Sequence, residues 1–281
     1  LDNVYTVTVQ VSDGVHTDNQ AITVTVVDVQ GSTLTVTTTS DVDDTGLGAS
    51  YTIEELYAVG GGADGHISLR EAMVAANMTA GADSISFNIS TSDAGYVDPD
   101  AIPGNGNEYW KITANTGYTF TDTVTIDART QGGYANAPVI EITGDGSFNT
   151  FSLQNHSGST IAGLSLTNSL RGVFLSGGDS HTIVGNYFGL QTDGETISGI
   201  GSMGVSASGR DNNLIGDTGV TNRNVFAGGG GNGIYIDATS DGTVIQNNYI
   251  GVNAAGDTDL GFTTAGINVS GTGTLIGTDG D

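Results

Sequence analysis

Four aspartates near the start of the chain are the residues best suited to hold a metal ion. Asp41, Asp43 and Asp44 follow a predicted strand, and Asp28 stands at the end of an earlier one. Carboxylate oxygens are the ligands that Ca²⁺ prefers in proteins. The sequence therefore predicts a calcium site where two modules of the chain meet, with a solvated acidic turn as the alternative.

Residues that could act as acid, base or nucleophile do not form a pattern typical of an enzyme. His181 and Asp179 are two residues apart on a predicted turn, without a nucleophile or second acid in register, so a solvated corner is predicted there. Arg171 has no counterpart at the equivalent positions of later repeats, which hold Met, Asn and Ala. We therefore predict no catalytic residues. A polysaccharide-cleaving site, which needs two positioned carboxylates, is the alternative.

Charge and composition exclude several classes of function. The 281 residues include 6 Lys+Arg against 31 Asp+Glu, a formal net charge of −25. So acidic a chain does not neutralise a phosphate backbone, and an anionic membrane surface repels it. No run of eighteen apolar residues occurs, so no membrane-spanning helix is predicted. The absence of cysteine excludes disulfides and thiolate metal sites.

Two strands are predicted at the N-terminus. Residues 4–11 and 21–27 alternate between apolar and polar side chains, with a loop from Ser12 to about Asn19. The strings YTVTVQVSDG and AITVTVVDV resemble the last two strands of a bacterial cadherin-like or Ig-like repeat. Residues 1–30 are therefore interpreted as an incomplete module whose other strands come from elsewhere in a longer protein or from another subunit. The calcium site would then correspond to the inter-repeat ions of cadherin-like arrays.

One helix is predicted, over residues 68–77. Ser68 is a good N-cap, and Glu71 three residues later completes a capping box. Leu69, Ala72, Met73 and Ala76 share one face. Because a single short helix is too little for an α/β fold, we expect it to cover the end of a sheet stack within a capping region that spans residues 31–121.

The helix lies in a segment that resembles a known family. The string DGHISLREAMVAANMTAGADSISFNI is similar to the bacterial domain named for its Cys-Ser-Leu-Arg-Glu-Ala motif, and DTVTIDARTQGGYANAPVIEITG continues the likeness. The resemblance implies a right-handed parallel β-helix on a large secreted or surface protein. Ile67 stands where the motif has its cysteine, so no thiol function is implied. Arg70 and Glu71 match the motif and are interpreted as a buried-edge ion pair or cap.

Residues 122–281 contain an internal repeat. Short strands recur around Gly172, Gly204, Gly233 and Gly266, which are 32, 29 and 33 residues apart. Asn186 begins the string Asn-Tyr-Phe-Gly, and a similar string begins at Asn248, 62 residues later. The unit is therefore three short strands in about 31 residues, doubled into a 62-residue super-repeat.

Three strands separated by turns are typical of one coil of a parallel β-helix, in which stacked coils create the core. The repeated glycines are interpreted as corner residues with positive φ. Asn168, Asn186 and Asn248 are predicted to form a ladder of side-chain amides between coils, with ligand contact as the alternative.

The fold class expected is all-β: a right-handed parallel β-helix capped by one short amphipathic helix and preceded by a β-hairpin. The expected function is structural, as an adhesin shaft, stalk or filament subunit of an extracellular bacterial surface protein. Its expected partners are neighbouring domains of the same chain or neighbouring subunits, and surface glycans. In a fibre, residues 4–27 would complete a β-sheet of a neighbouring subunit. The alternative is a β-helix that binds or cleaves an uncharged or cationic polysaccharide.

Overall fold

The computed structural model describes residues 3–26 and 32–277 and consists mostly of β-strands. The first two strands are β1 (Asn3–Ser12) and β2 (Thr17–Val26). The elements that follow are β3 (Thr33–Val36), α1 (Ile53–Ala58), α2 (Leu69–Met78), β4 (Asp83–Phe87), β5 (Tyr96–Val97), β6 (Tyr109–Thr113), β7 (Tyr118–Phe120), β8 (Val124–Asp127), β9 (Ile140–Thr143), β10 (Asn149–Leu153), β11 (Thr160–Ala162) and β12 (Leu164–Thr167). The last are β13 (Ser169–Leu175), β14 (Thr182–Val184), β15 (Tyr187–Phe188), β16 (Ile200–Ala207), β17 (Leu214–Ile215), β18 (Val225–Phe226), β19 (Asn232–Ile236), β20 (Val244–Ile245), β21 (Tyr249–Ile250), β22 (Ala265–Val269) and β23 (Leu275–Ile276).

The predicted N-terminal hairpin is present as a separate two-stranded sheet. Its strands pair antiparallel from Asn3 opposite Val26 to Ser12 opposite Thr17, so the loop is shorter than predicted. The Asp13 carboxylate holds the turn by accepting the backbone N–H groups of residues 15 and 16, at 2.9 and 2.7 Å. Every side chain described between residues 8 and 22 is exposed. This hairpin therefore leaves apolar side chains uncovered.

The other strands form three sheets that the chain visits in rotation. Sheet 1 has the order β22-β19-β16-β13-β10-β7, and sheet 2 has the order β23-β20-β17-β14-β11-β8-β4-β3. Sheet 3 has the order β21-β18-β15-β12-β9-β6-β5. All neighbouring pairs in these sheets are parallel except β5 with β6. From β7 onward each repeat thus adds one strand to every sheet, as the three-strand unit of the sequence predicts.

A column of aliphatic side chains runs through sheet 2 and explains why the repeats stack in register. One position of each strand points into the core, and the strands pair so that these positions lie opposite one another. The column consists of Leu34, Ile85, Ile126, Ile161, Ile183, Ile215, Ile245 and Ile276. All are buried except Ile276 on the last strand, which is 60% exposed. Stacking of the strands therefore creates the core, and the inward side chain of β23, the last strand of sheet 2, is not covered by a further strand.

The prediction that the repeated glycines are corner residues is wrong. Gly172, Gly204, Gly233 and Gly266 lie inside strands β13, β16, β19 and β22, and none has a positive φ. Their role is close approach. A Cβ atom on Gly204 would lie 2.6 Å from the carbonyl oxygen of Gly233 and 2.7 Å from the ring of Phe226. The glycines therefore leave room for core rings, including the stack of Phe188 on Phe226 at 4.5 Å.

The 62-residue super-repeat arises because the longer loop alternates between two corners. After β15 and after β21 the chain makes a small antiparallel excursion, bridged at Leu190–Ile197 and at Val252–Asp259. In the repeat between them the long loop instead separates β17 from β18 and contains a 3₁₀ turn at Val220–Asn222. Adjacent repeats therefore have the same core but different loops.

The described ranges contain two α-helices, whereas the sequence predicts one. The unpredicted helix is α1, which begins with a capping box between Thr52 and Glu55 and spans only six residues. Its shortness hides the helical period in the sequence. Both helices lie between β3 and β4, and α2 packs against β3 and β7. Within these ranges neither helix has the length and apolar character needed to cross a bilayer.

Candidate functional site

The start of α2 has the capping box predicted from the sequence. Ser68 Oγ accepts the backbone N–H of Glu71 at 3.1 Å, and the Glu71 carboxylate accepts the N–H of Ser68 at 2.8 Å. Glu71 also accepts the N–H of Asp44 at 3.1 Å. Its side chain is almost fully buried, and this burial raises the pKa of Glu71. Glu71 therefore joins the helix to the acidic turn in addition to capping it.

Arg70 forms its ion pair with Asp41 and not with Glu71. The guanidinium donates to both oxygens of Asp41, at 3.0 and 2.9 Å, and also lies over the ring of Tyr118 at 4.6 Å. Tyr118 donates its hydroxyl to the same carboxylate at 2.7 Å. Asp41 is buried, so its charge is neutralised inside the fold by Arg70. This network fastens α2 to the turn before it.

The predicted calcium ligands have separate protein partners. Asp43 accepts hydroxyls from Tyr51 and Thr45, whereas Asp44 accepts the backbone N–H groups of residues 63 and 64. Asp28 lies outside the described residues. Within the described residues, no group of three or more His, Asp or Glu is arranged to hold a metal. Calcium binding at this junction stays a prediction.

An asparagine ladder runs along the corner just before the strands of sheet 3, and its members are Asn186, Asn224 and Asn248. Asn186 donates its backbone and side-chain N–H groups to the Asn224 side-chain oxygen, at 3.0 and 3.2 Å. Asn224 donates in the same way to Asn248, at 3.3 and 3.0 Å. Each amide also donates to a strand carbonyl of the preceding repeat, at 2.8 to 2.9 Å. The ladder thereby satisfies buried backbone groups at the corner before β15, β18 and β21.

Asn168 is not part of this ladder, so that part of the prediction is wrong. It lies at a different corner, after β12, and has a positive φ of 46°. Its side chain donates to the carbonyl of Gly144 at 2.7 Å. Asn224 takes its place in the ladder. The sequence signal for Asn224 is that it precedes Val225-Phe226 as Asn186 precedes Tyr187-Phe188.

His181 is fully buried, so the predicted solvated corner is wrong at this residue. Its Nδ1 accepts the backbone N–H of Ser159 at 3.2 Å, and its Nε2 lies 2.9 Å from the carbonyl of Gly177. These two partners require the neutral ring with its proton on Nε2. His156 lies beside it, with Nε2 2.7 Å from the hydroxyl of Ser159. Burial lowers the pKa of both histidines.

The pair of His156 and Ser159 has hydrogen-bond geometry that a nucleophile and base could share. The Ser159 side chain is nevertheless fully buried, and its oxygen already accepts the N–H of Val124 at 2.9 Å. No substrate reaches this hydroxyl in the folded chain. The pair therefore supports the corner and has no access for catalysis.

A second ladder consists of aspartates and lies at the corner that contains His181, just before strands β14, β17 and β20. Asp179 accepts the backbone N–H of Asp211 at 3.0 Å, and Asp211 accepts that of Asp241 at 2.7 Å. Asp241 accepts the N–H of Thr272 at 2.8 Å. Asp179, Asp211 and Asp241 are here called the aspartate column. Because this column places like charges on successive repeats, it links the repeats at an electrostatic cost.

The described surface also has a groove beside Trp110, here called the Trp110 groove, with a volume of about 550 Å³. Its apolar wall consists of Ile89, Tyr96 and Trp110, and the two aromatic rings are 5.3 Å apart and tilted by 56°. The antiparallel pairing of β5 with β6 places Tyr96 opposite Trp110. The Trp110 ring is fixed because its N–H donates to the carbonyl of Ser90 at 2.9 Å.

Polar groups surround this apolar wall. Glu108 lines the groove, and its carboxylate accepts the backbone N–H groups of residues 104, 105 and 106. Hydrogen bonding from the backbone N–H of Glu108 itself, together with these three hydrogen bonds, lowers the pKa of Glu108. A neighbouring cleft of about 680 Å³ shares Glu108, Gly106 and Gly133 with the groove and reaches Asp193 and Glu195. This site was not predicted from the sequence, because its residues come from β5, β6 and loops that belong to no repeat.

Comparison with known proteins identifies no relative: no family model, curated protein or solved structure matches the chain.

Proposed function

We propose that the chain is a structural segment of an extracellular bacterial surface protein, such as an adhesin shaft, a stalk or a filament subunit. The observation that carries this proposal is the uniform stacking of the repeats. The inward position of sheet 2 is aliphatic in all eight strands, and side-chain ladders of asparagine and aspartate join successive coils. A chain built this way grows along one axis and is stiff, which suits a spacer.

In this proposal the three sheets wind as a right-handed parallel β-helix, with α1 and α2 as its cap. The rotation of the chain through the sheets supports the winding. The motif residues Ser68, Arg70 and Glu71 support the resemblance to the Cys-Ser-Leu-Arg-Glu-Ala domain through a structural role, since they cap α2 and fasten it.

The N-terminal hairpin is proposed to belong to an Ig-like or cadherin-like module completed by a neighbouring domain or subunit. Val9, Val11 and Ile22 are 43, 68 and 45% exposed, although a two-stranded hairpin needs an apolar face covered by other strands. Deleting residues 1–30 is expected to weaken assembly or docking to the neighbour. Unchanged polymer length or docking after the deletion would remove this part of the proposal.

Cell-surface display tests the proposed location. Antibodies raised against the purified chain are expected to label intact cells of the bacterium that encodes it, and external protease is expected to remove the signal. Labelling that needs permeabilised cells would contradict the proposal. Incubation with a panel of polysaccharides tests the structural role, because catalytic turnover would show an enzyme in place of a scaffold.

A further inference from the structure

We propose that the Trp110 groove binds an uncharged oligosaccharide. This inference goes beyond the scaffold function and does not depend on it. A saccharide ring has apolar faces of C–H groups and an edge of hydroxyl groups. A site that fits it has an aromatic wall, free hydrogen-bonding groups at the rim and no need for a cation.

The aromatic wall meets the first requirement. Tyr96 is partly exposed at the groove, whereas Trp110 is only 5% exposed and is oriented by its hydrogen bond to Ser90. Ile89 is almost fully buried, as Trp110 is, so Tyr96 supplies most of the accessible ring surface. Aromatic rings held in one orientation bind apolar faces at a low entropic cost, because few side-chain torsions are immobilised on binding.

The rim meets the second requirement. Asn88, Thr91 and Tyr96 all line the groove, and their side-chain polar groups make no hydrogen bond within the described part of the chain. By contrast, the Gln131 amide is used by the backbone of Ile89, at 2.8 and 3.0 Å. The three free groups can therefore exchange water for sugar hydroxyls without breaking a bond of the fold.

Charge selects the class of sugar. The one carboxylate that lines the groove itself, among the described residues, is Glu108, no Lys or Arg lines it there, and the adjoining cleft adds Asp193 and Glu195. The chain as a whole has a net charge of −25. This field repels uronic acids and sulfated sugars. The fixed Glu108 carboxylate still accepts hydrogen bonds from neutral hydroxyls.

The shared boundary with the second cleft indicates an oligosaccharide and not a single sugar. The two clefts meet at Gly106, Glu108 and Gly133 and continue toward the loop after β15. Each has a volume in the range of 300–1,000 Å³ that is usual for small-ligand sites. A chain of sugars can thus occupy both.

Trp110 is the one tryptophan of the chain, so its fluorescence observes this groove alone. The experiment titrates the purified protein with cello-, malto- and N-acetylchito-oligosaccharides of three to six units, alongside oligogalacturonate. At least one uncharged series is expected to give a saturable change in emission with matching heat in calorimetry. Oligogalacturonate is expected to bind at least tenfold more weakly. If no uncharged series binds at millimolar concentration, or if oligogalacturonate binds best, the proposal is wrong.

Variants then locate the bound sugar. Tyr96→Phe is expected to weaken binding about threefold and Asn88→Ala about fivefold, because each loses a hydrogen bond. Tyr96→Ala is expected to weaken it more than tenfold, because it loses the ring as well. Tyr235→Ala, on β19 away from the groove, is the matched control and should bind as the parent does. Circular dichroism confirms folding, and affinity unchanged in all three groove variants would overturn the proposal.

Discussion

The rings of His156 and His181 lie edge to face inside the strand stack, with their centroids 5.4 Å apart. Both rings belong to the same corner and share Ser159, one through its hydroxyl and the other through its backbone N–H. If His181 Nδ1 were protonated, it would become a donor that points at the backbone N–H of Ser159, which is itself a donor. The ionisable groups around His181 besides His156 are Asp179 and Arg210, and Asp122 acts on His156. The corner therefore requires neutral rings.

Acidification is expected to destabilise the fold through these histidines. Burial lowers their pKa in the folded chain, so the unfolded chain binds more protons. Their contribution is complete above the unfolded pKa of about 6.5 and decreases as the pH falls below it. His181→Asn should flatten this dependence, because Asn213 already fills the same role in the next repeat by accepting the N–H of His181.

Thermal unfolding between pH 8 and pH 5 measures the effect, and His66→Asn, an exposed histidine, is the control. Asp83 acts in the opposite direction. Burial raises the pKa of Asp83 to about 6, so its contribution is present below its unfolded pKa and is lost as the pH rises through 6. The comparison of His181→Asn with the parent cancels this effect. Parallel pH curves for the two proteins would contradict the prediction.

Removal of the central ladder amide is expected to be costly. Asn224→Ala leaves the buried N–H groups of Asn186 without an acceptor, so we expect the free energy of unfolding to fall by about 3 kcal/mol. Urea unfolding measures the loss. Asn268→Ala on the last strand of sheet 1, β22, is the matched control and should stay within about 0.5 kcal/mol of the parent. Equal effects of the two substitutions would show that the ladder adds no stability.

The glycines inside sheet 1 can be tested by one added methyl group. Gly204→Ala is expected to destabilise the chain by about 3 kcal/mol, because its Cβ would meet the backbone oxygen of Gly233. Gly132→Ala is the matched control. It has open space around it and no positive φ, so it should be neutral or slightly stabilising. Melting temperatures of the two variants decide the matter, and a tolerated Gly204→Ala would disprove the packing explanation.

The aspartate column should respond to charge and to hydrogen bonding in opposite ways. Asp211→Asn keeps the oxygen that accepts the N–H of Asp241 and removes a stacked charge, so stability should rise slightly at low salt. Asp211→Ala loses the acceptor and should cost about 1 kcal/mol at any ionic strength. Urea unfolding at low and high salt distinguishes them. If the Asn variant were as unstable as the Ala variant, charge and not hydrogen bonding would hold the column.

Calcium is expected to raise the melting temperature if the acidic turn binds it together with Asp28. An ion that binds the folded state alone stabilises it in proportion to the logarithm of its concentration. Differential scanning calorimetry with added Ca²⁺, with Mg²⁺ as the control, measures this. Identical melting in Ca²⁺ and in chelator would remove the calcium prediction.

Some of the fold could be predicted because its causes are local or periodic. The capping box at Ser68 depends on residues three apart, and the strand unit repeats about every 31 residues with an aliphatic residue at each inward position. α1 was missed because six residues are too few to show a helical period. Asn168 was placed in the wrong ladder because residue type alone does not distinguish two corners of a repeat.

The sequence by itself determined that the chain is acidic, rich in strands and repetitive, since composition and period are written in the order of residues. Only the tertiary structure decided which distant side chains meet. It pairs Arg70 with Asp41, places His156 beside His181, and sets Tyr96 against Trp110. It also gives the repeated glycines a packing role in place of a turning role. These contacts depend on how loops of unequal length return the chain to the stack, which no local pattern specifies.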